Sequence, residues 1–436
     1  MKKERNYTIE FFRFMFAINF ILIHALMIFP LGYMGFTMSA AKDAYIFRSD
    51  FDVILPFMIF SGYFMMQGFR KAKAENLEPV PAHKQALGYL STRLKSLFPL
   101  MLIGLLAGWV ANGIWRGYSL AQYPAYFLAS IGEFLGLQLS GIGMGNGFVG
   151  NWYSTTAAVR LLSNTPIWFI SGIFICGYVI YYLLAKDEHK VLALILPAVT
   201  ILFMGSCWIN DTIPLWNAML DLGGFTINTD LVLMFIGLGL GCELWVAVDA
   251  LKEKTWSTGG KVALTIGSVL SFAVVLIRSW VSGNSAFVQN YFNIGWGATM
   301  IFSVFFCFFV LLDVDWLSRC PIWHNKIWKV PGQLSLYIYV IHFPVLIFTA
   351  LAMGLKDSAA RSMANGVSVE LPTGPVTLGI ITEGDAKKLI ITFVLTIVFS
   401  IVIGYLLMLL NTKVIQPWIN RKPWFVEKKE QVAVNG

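Results

Sequence analysis

The sequence predicts an all-α membrane protein, a polytopic bundle of about ten transmembrane helices with both termini cytoplasmic. Three observations carry that expectation. The composition is too apolar for a surface in water, the hydrophobic windows match the length of a bilayer crossing, and Lys and Arg fall mainly on one side of them.

Of the 436 residues, 57% are hydrophobic and 13% are charged, whereas a soluble domain carries about 25% charged residues. So little polar surface leaves lipid as the solvent for much of the chain. The 15 Trp and 16 Tyr suit the headgroup level, where amphipathic rings anchor helices. The formal charge of +8 does not point to nucleic acid, because the basic residues sit in short segments between apolar windows. The five cysteines, at 176, 207, 242, 307 and 320, form no C-x-x-C and lie mostly in apolar runs. They read as small buried hydrophobes, with no metal site and no disulfide framework. The basic start and first apolar stretch resemble a signal peptide, but Arg13 and His24 interrupt the stretch and no cleavage site follows. It is read as a retained helix.

The candidate spans are 11–30, 51–68, 97–115, 165–184, 191–209, 230–248, 262–282, 293–312, 331–353 and 388–410. An eleventh window, 121–139, contains Glu133 and runs into the loop GIGMGNGFVGNWYSTT. If it does not cross, 22 of the 32 Lys and Arg lie in cytoplasmic segments and eight outside. If it does cross, the basic segments near 186, 252 and 326 move outside, against the positive-inside rule. It is therefore read as a re-entrant or interfacial segment on the outer side. The expected organisation is one transmembrane domain over 1–411 and a short cytoplasmic tail over 412–436.

The first span, IEFFRFMFAINFILIH, carries Glu10, Arg13 and His24. Ionisable groups inside a span are expensive and point to function. Glu10 and Arg13 are three apart and can pair. Arg13 and His24 are eleven apart, which leaves about 20° between them around the helix and about 16 Å along it. That face is expected to line a polar cavity. A guanidinium near the cytoplasmic interface can hold phosphate groups by paired hydrogen bonds, and a neutral imidazole deeper in the membrane can act as general base. The bland alternatives are a snorkelling Arg and a His bonded to a neighbouring helix.

Arg, ten residues, then His on a first helix, with an acidic residue three before the Arg, resembles the signature of the acyltransferase 3 family of integral membrane O-acyltransferases. Further segments share the resemblance. LPFMIFSGYFMM in the second span carries Ser61 and Gly62 like the family's FF-x-x-SG-[FY]. STRLKSLFPLML opens the third like the arginine-rich family segment, and TPIWFIS opens the fourth with Trp168. GQLSLYIYVIHFPVL in the ninth is similar to S-Y-x-x-Y-L-x-H-x-P, with His342 and Pro344. Two positions depart from the family pattern. Ser96 stands where a second Arg is frequent, and Ile173 stands where many members carry Glu. Both bear on the subfamily and hence on the acceptor.

The resemblance implies a multi-pass protein of the cytoplasmic (inner) membrane, surrounded by membrane lipids. It would move an acyl group, most often acetyl, from acyl-CoA to a hydroxyl of an envelope glycan or a lipid-linked sugar. It implies no permanently bound cofactor. His24 would be the catalytic base, with Glu10 orienting Arg13. Arg13, Arg93 and Lys95 would bind the donor. His342, Ser61 and Trp168 would serve the acceptor or the structure, and for His342 a helix-bridging and a catalytic role stand side by side. Among the remaining residues, His83, His189 and His324 read as solvated, and Arg278 as snorkelling or meeting an anionic acceptor. Glu133 reads as capping or solvating its segment or as a sugar ligand, and Asn151, Trp152 and Tyr153 as sugar-stacking or interfacial. A glycan or small-solute transporter or flippase would also use a buried Arg–His face. No broken helices at matching positions of two halves point that way.

Overall fold

The computed structural model describes residues 6–27, 51–75, 80–137, 163–210, 219–221, 226–280, 296–357, 367–371, 374–378 and 383–421. The helices are α1 (Tyr7–Met27), α2 (Phe51–Glu75), α3 (Ala82–Arg116), α4 (Tyr123–Ala129), α5 (Ile131–Phe134), α6 (Trp168–Lys190), α7 (Leu196–Asn210), α8 (Thr229–Leu251), α9 (Thr258–Trp280), α10 (Trp296–Leu312), α11 (Lys329–Ala352), α12 (Glu383–Leu410) and α13 (Gln416–Arg421). Two antiparallel hairpins join them, β1 (Met219–Asp221) with β2 (Thr226–Asn228), and β3 (Val367–Leu371) with β4 (Gly374–Leu378).

Among the described residues, six helical stretches are long and apolar enough to cross a membrane: Ala82–Arg116, Trp168–Ser206, Thr229–Leu251, Thr258–Val275, Lys326–Ala352 and Lys387–Arg421. The stretch Trp168–Ser206 breaks at Asp187, whose backbone leaves the helical region (φ −157°, ψ 85°), and so joins two of the expected windows. The last helix runs on to Arg421 through a π turn at Asn411–Ile415, past the expected boundary at 411. Window 121–139 holds only α4 and α5, of 7 and 4 residues. At 1.5 Å per residue neither approaches 30 Å, so among the described residues no helix in this window is long enough to cross.

The apolar side chains form two clusters, and α1 serves both. Ile9, Phe12, Phe16 and Phe20, spaced by three or four, enter the cluster with α2, α6, α8, α9 and α10. Ala17 and Ile21 enter the cluster with α3, α6 and α11. Helix α1 packs chiefly on α11, α11 on α12 and α3, α2 on α8, and α3 on α6. The closest crossing is α2 on α8. A methyl at Gly62 would stand 2.7 Å from the Leu238 carbonyl carbon, and one at Gly241 would stand 2.5 Å from the Tyr63 nitrogen. The Ser61–Gly62 pair therefore marks a helix contact built on a missing side chain.

Helix α1 runs parallel to α11. Its lower end, Glu10, lies against Gly332, where a methyl would stand 2.7 Å from the Glu10 Cα, and its upper end, His24, touches His342. Cys176, Cys242 and Cys307 are buried and free, and Cys320 is half-buried.

Candidate functional site

Helix α1 is unbroken from Tyr7 to Met27, so the spacing of Glu10, Arg13 and His24 fixes their common face. Glu10 is buried and Arg13 half-buried, with Arg13 Nη1 3.6 Å from Glu10 Oε2. The missing Cβ at Gly332 makes room for the carboxylate against α11. The polar cavity expected along this face is not open, because Ala17 and Ile21 lie between Arg13 and His24 and are fully buried. Their small and branched apolar side chains fill the space against α11 and α3.

At the upper end of the face His24 meets α11. Its Nδ1 lies 2.8 Å from the Phe20 carbonyl and 3.1 Å from His342 Nε2. The Nδ1 of His342 is 2.7 Å from the Tyr339 carbonyl and 3.2 Å from that of Ile338. Both imidazoles are buried. Aromatic rings wall them in: Phe20 stacks on His24 at 6.3 Å, Phe343 meets it edge-on at 5.7 Å, and Tyr339 lies 5.9 Å from His342. The Tyr339 hydroxyl donates to the Pro166 carbonyl. Trp168 is buried at the start of α6, and its neighbour Phe169 reaches the Tyr339 ring at 5.9 Å. Trp168 thus belongs to the outer shell of the pair.

A proline on α11 explains how its neighbours are held. Pro344 has no N–H, so the Val340 carbonyl four residues earlier loses its helical donor. The Asn164 side-chain amide replaces it, donating to Val340 O at 3.0 Å and to Gly104 O of α3 at 3.0 Å. The same device recurs at Pro99 in α3, where the freed Lys95 carbonyl accepts from Gln416 Nε2 at 3.0 Å. Asn164 is the residue the sequence did not single out. The available signal was the Pro344 vacancy, which calls for a donor but does not say from where.

The other expected site residues lie apart from the pair. Arg93, half-buried in α3, sets its guanidinium over the Tyr89 ring at 5.3 Å, and Tyr89 stacks on Tyr181 of α6 at 4.8 Å. Lys95 is half-buried on the same helix. Ser61 is half-buried on α2, beside the α8 crossing. Ser96 bonds back to the Arg93 carbonyl at 3.1 Å, and Ile173 is buried.

Glu133 is neither solvated nor open to a ligand. It is buried, and its Oε2 accepts from the Ser163 N–H at 2.7 Å, while Asn112 Nδ2 donates to the Ser163 carbonyl at 2.8 Å. The carboxylate ties the α4–α5 segment to the turn that carries Asn164. His324 also departs from its expected solvation. It is half-buried, 3.0 Å from Thr8 Oγ1 and 3.6 Å from Asp313 Oδ1, and braces the foot of α1. His83 and His189 are exposed. The Arg278 side chain and residues Asn151, Trp152 and Tyr153 lie outside the described residues. Among the described residues, no group of three or more His, Cys, Asp or Glu is placed to hold a metal ion.

No family model, curated protein or solved structure matches the chain.

Proposed function

We propose that the chain is an integral membrane O-acyltransferase of the acyltransferase 3 type. It moves an acyl group, most often acetyl, from acyl-CoA on the cytoplasmic side to a hydroxyl of an envelope glycan or lipid-linked sugar. The observation that carries the reading is the buried His24–His342 contact, set above an ion-paired Arg13 on the same helix face. A buried imidazole in a water-poor aromatic wall can take a hydroxyl proton, and a half-buried guanidinium at the other end can grip phosphate. The donor's flexible arm would have to cover about 16 Å along the helix past Ala17, the smallest side chain on that path.

The reading includes ten spans in the cytoplasmic membrane, both termini inside. The parallel contact of α1 with α11 supports it. With 121–139 outside the membrane these are the first and ninth spans and run the same way, whereas an extra crossing would make them antiparallel. A reporter fused after Leu137 is expected to register the outer side, and one after Lys190 the cytoplasm. A cytoplasmic signal at Leu137 would overturn the ten-span count.

The functional test is donor binding and turnover by the purified protein. Acetyl-CoA is expected to bind and to be hydrolysed slowly without an acceptor. Arg13→Lys keeps the charge and loses the planar fork, so acetyl-CoA affinity is expected to fall about tenfold or more, the equivalent of one charge-assisted hydrogen bond, with the fold intact. Unchanged affinity in a folded Arg13→Ala variant would remove Arg13 from the donor site. No binding at all by the wild type would sink the acyltransferase reading.

A further inference from the structure

The four close contacts of the two imidazoles admit one arrangement of protons. A carbonyl oxygen only accepts. His342 Nδ1 faces the carbonyls of Tyr339 and Ile338, so it carries the hydrogen. In a neutral ring His342 Nε2 is then a bare lone pair. His24 Nδ1 faces that lone pair at 3.1 Å and the Phe20 carbonyl at 2.8 Å, two acceptors, so it too carries its hydrogen and shares it between them. The reverse assignment would point a lone pair of His24 at the Phe20 carbonyl oxygen. What remains is His24 Nε2, a lone pair with no hydrogen-bond partner among the described residues.

We propose that His342 is a positioning residue. Its Nε2 holds the His24 ring with Nδ1 protonated and turned inward, which makes His24 Nε2 the nitrogen that takes the acceptor's proton. This rests on the acyltransferase reading. In the step, His24 Nε2 removes the proton of the acceptor hydroxyl as its oxygen attacks the thioester carbonyl. The C–O bond forms, the C–S bond breaks, and the coenzyme A thiolate recovers the proton from His24 Nε2. While His24 is an imidazolium, its Nδ1–H points at the His342 lone pair and the Phe20 carbonyl, both suited to stabilise the charge. Phe20 lies on the same helix as His24 and can fix only the proton. His342 comes from α11 and fixes the plane of the ring, whose centroid lies 5.0 Å from that of His342 at an interplanar angle of 50°.

The test uses the full chain in lipid nanodiscs. Nitrogen-15 spectra of histidine-labelled protein, with His24 assigned by difference against His24→Asn, are expected to show both buried rings protonated at Nδ1 and bare at Nε2. A His24 ring protonated at Nε2 would overturn the proposal. In transfer assays His342→Leu is expected to lower kcat about 100-fold with the KM for acetyl-CoA little changed. His342→Gln, whose amide oxygen can stand where Nε2 stands, is expected to recover most of that loss. Equal losses in both variants, or losses that track thermal stability, would make His342 merely structural. The spectrum needs no turnover, so failure of the acyltransferase reading would leave it unchanged, while failure of the proposal would appear in the spectrum itself.

Discussion

Replacing His24 with alanine is expected to lower acyl transfer by about 10²–10⁴-fold, the usual loss on removal of a general base, while acetyl-CoA still binds. Donor binding is assigned to Arg13, three helical turns away, so it has no reason to follow. The structure adds a complication, because His24 also contacts His342 at hydrogen-bond distance, as the donor in the arrangement proposed above. Its removal leaves that buried lone pair unpaired, at about 1–3 kcal/mol. A drop in stability with alanine is therefore compatible with either role, and a second variant separates them. His24→Asn keeps an N–H close to the position of Nδ1 but has no basic nitrogen. It is expected to keep most of the stability and none of the transfer. Measured side by side in vesicles, full activity in either variant would defeat the mechanism. Activity that returned with stability in His24→Asn would leave only a helix-bridging histidine.

The sequence carried the helices because lipid makes span length strict: each of the ten expected spans overlaps a helix where it is described, and six helical stretches are long and apolar enough to cross. It carried the common face of Glu10, Arg13 and His24 because an unbroken helix turns spacing into angle. It did not carry the partner of that face. Which of the later helices lies on α1 depends on contacts across more than 300 residues, and the local pattern around His342 suits a bridging and a catalytic role equally. The expected channel failed for a related reason. Ala17 and Ile21 share the face with Arg13 and His24, and periodicity cannot say whether such side chains line a gap or fill it. His324 reads as solvated because it sits in a short polar loop, and Glu133 as a cap, a solvated group or a sugar ligand because it is the one carboxylate in an otherwise apolar window. The structure buries them because those segments fold back onto α3 and α1, where a carboxylate and an imidazole can satisfy backbone and side-chain groups.

The link between Asn164 and Pro344 gives a sharper test of how the His pair is held. Asn164→Leu removes the donor to the Val340 carbonyl at nearly constant volume. That oxygen cannot recover a helical partner, since Pro344 has no N–H, so the variant is expected to lose about 1–3 kcal/mol and several degrees of apparent melting temperature. Pro344→Ala supplies an N–H within reach of the same carbonyl. In that background the loss from Asn164→Leu should be much smaller, with a coupling of about 0.5–3 kcal/mol between the two positions. Gly104, the other carbonyl bonded to Asn164, has its own helical donor at Gly108 and contributes little to the coupling. Function should follow the same cycle. His342 lies two residues beyond Val340, so a shift of α11 when Asn164 lets go moves its Nε2 from a 3.1 Å contact toward none. Acyl transfer is then expected to fall in Asn164→Leu and to recover in the double variant. Thermal unfolding and transfer rates of the four proteins close the cycle. Strictly additive losses would show that Asn164 does not serve the carbonyl that the proline leaves bare.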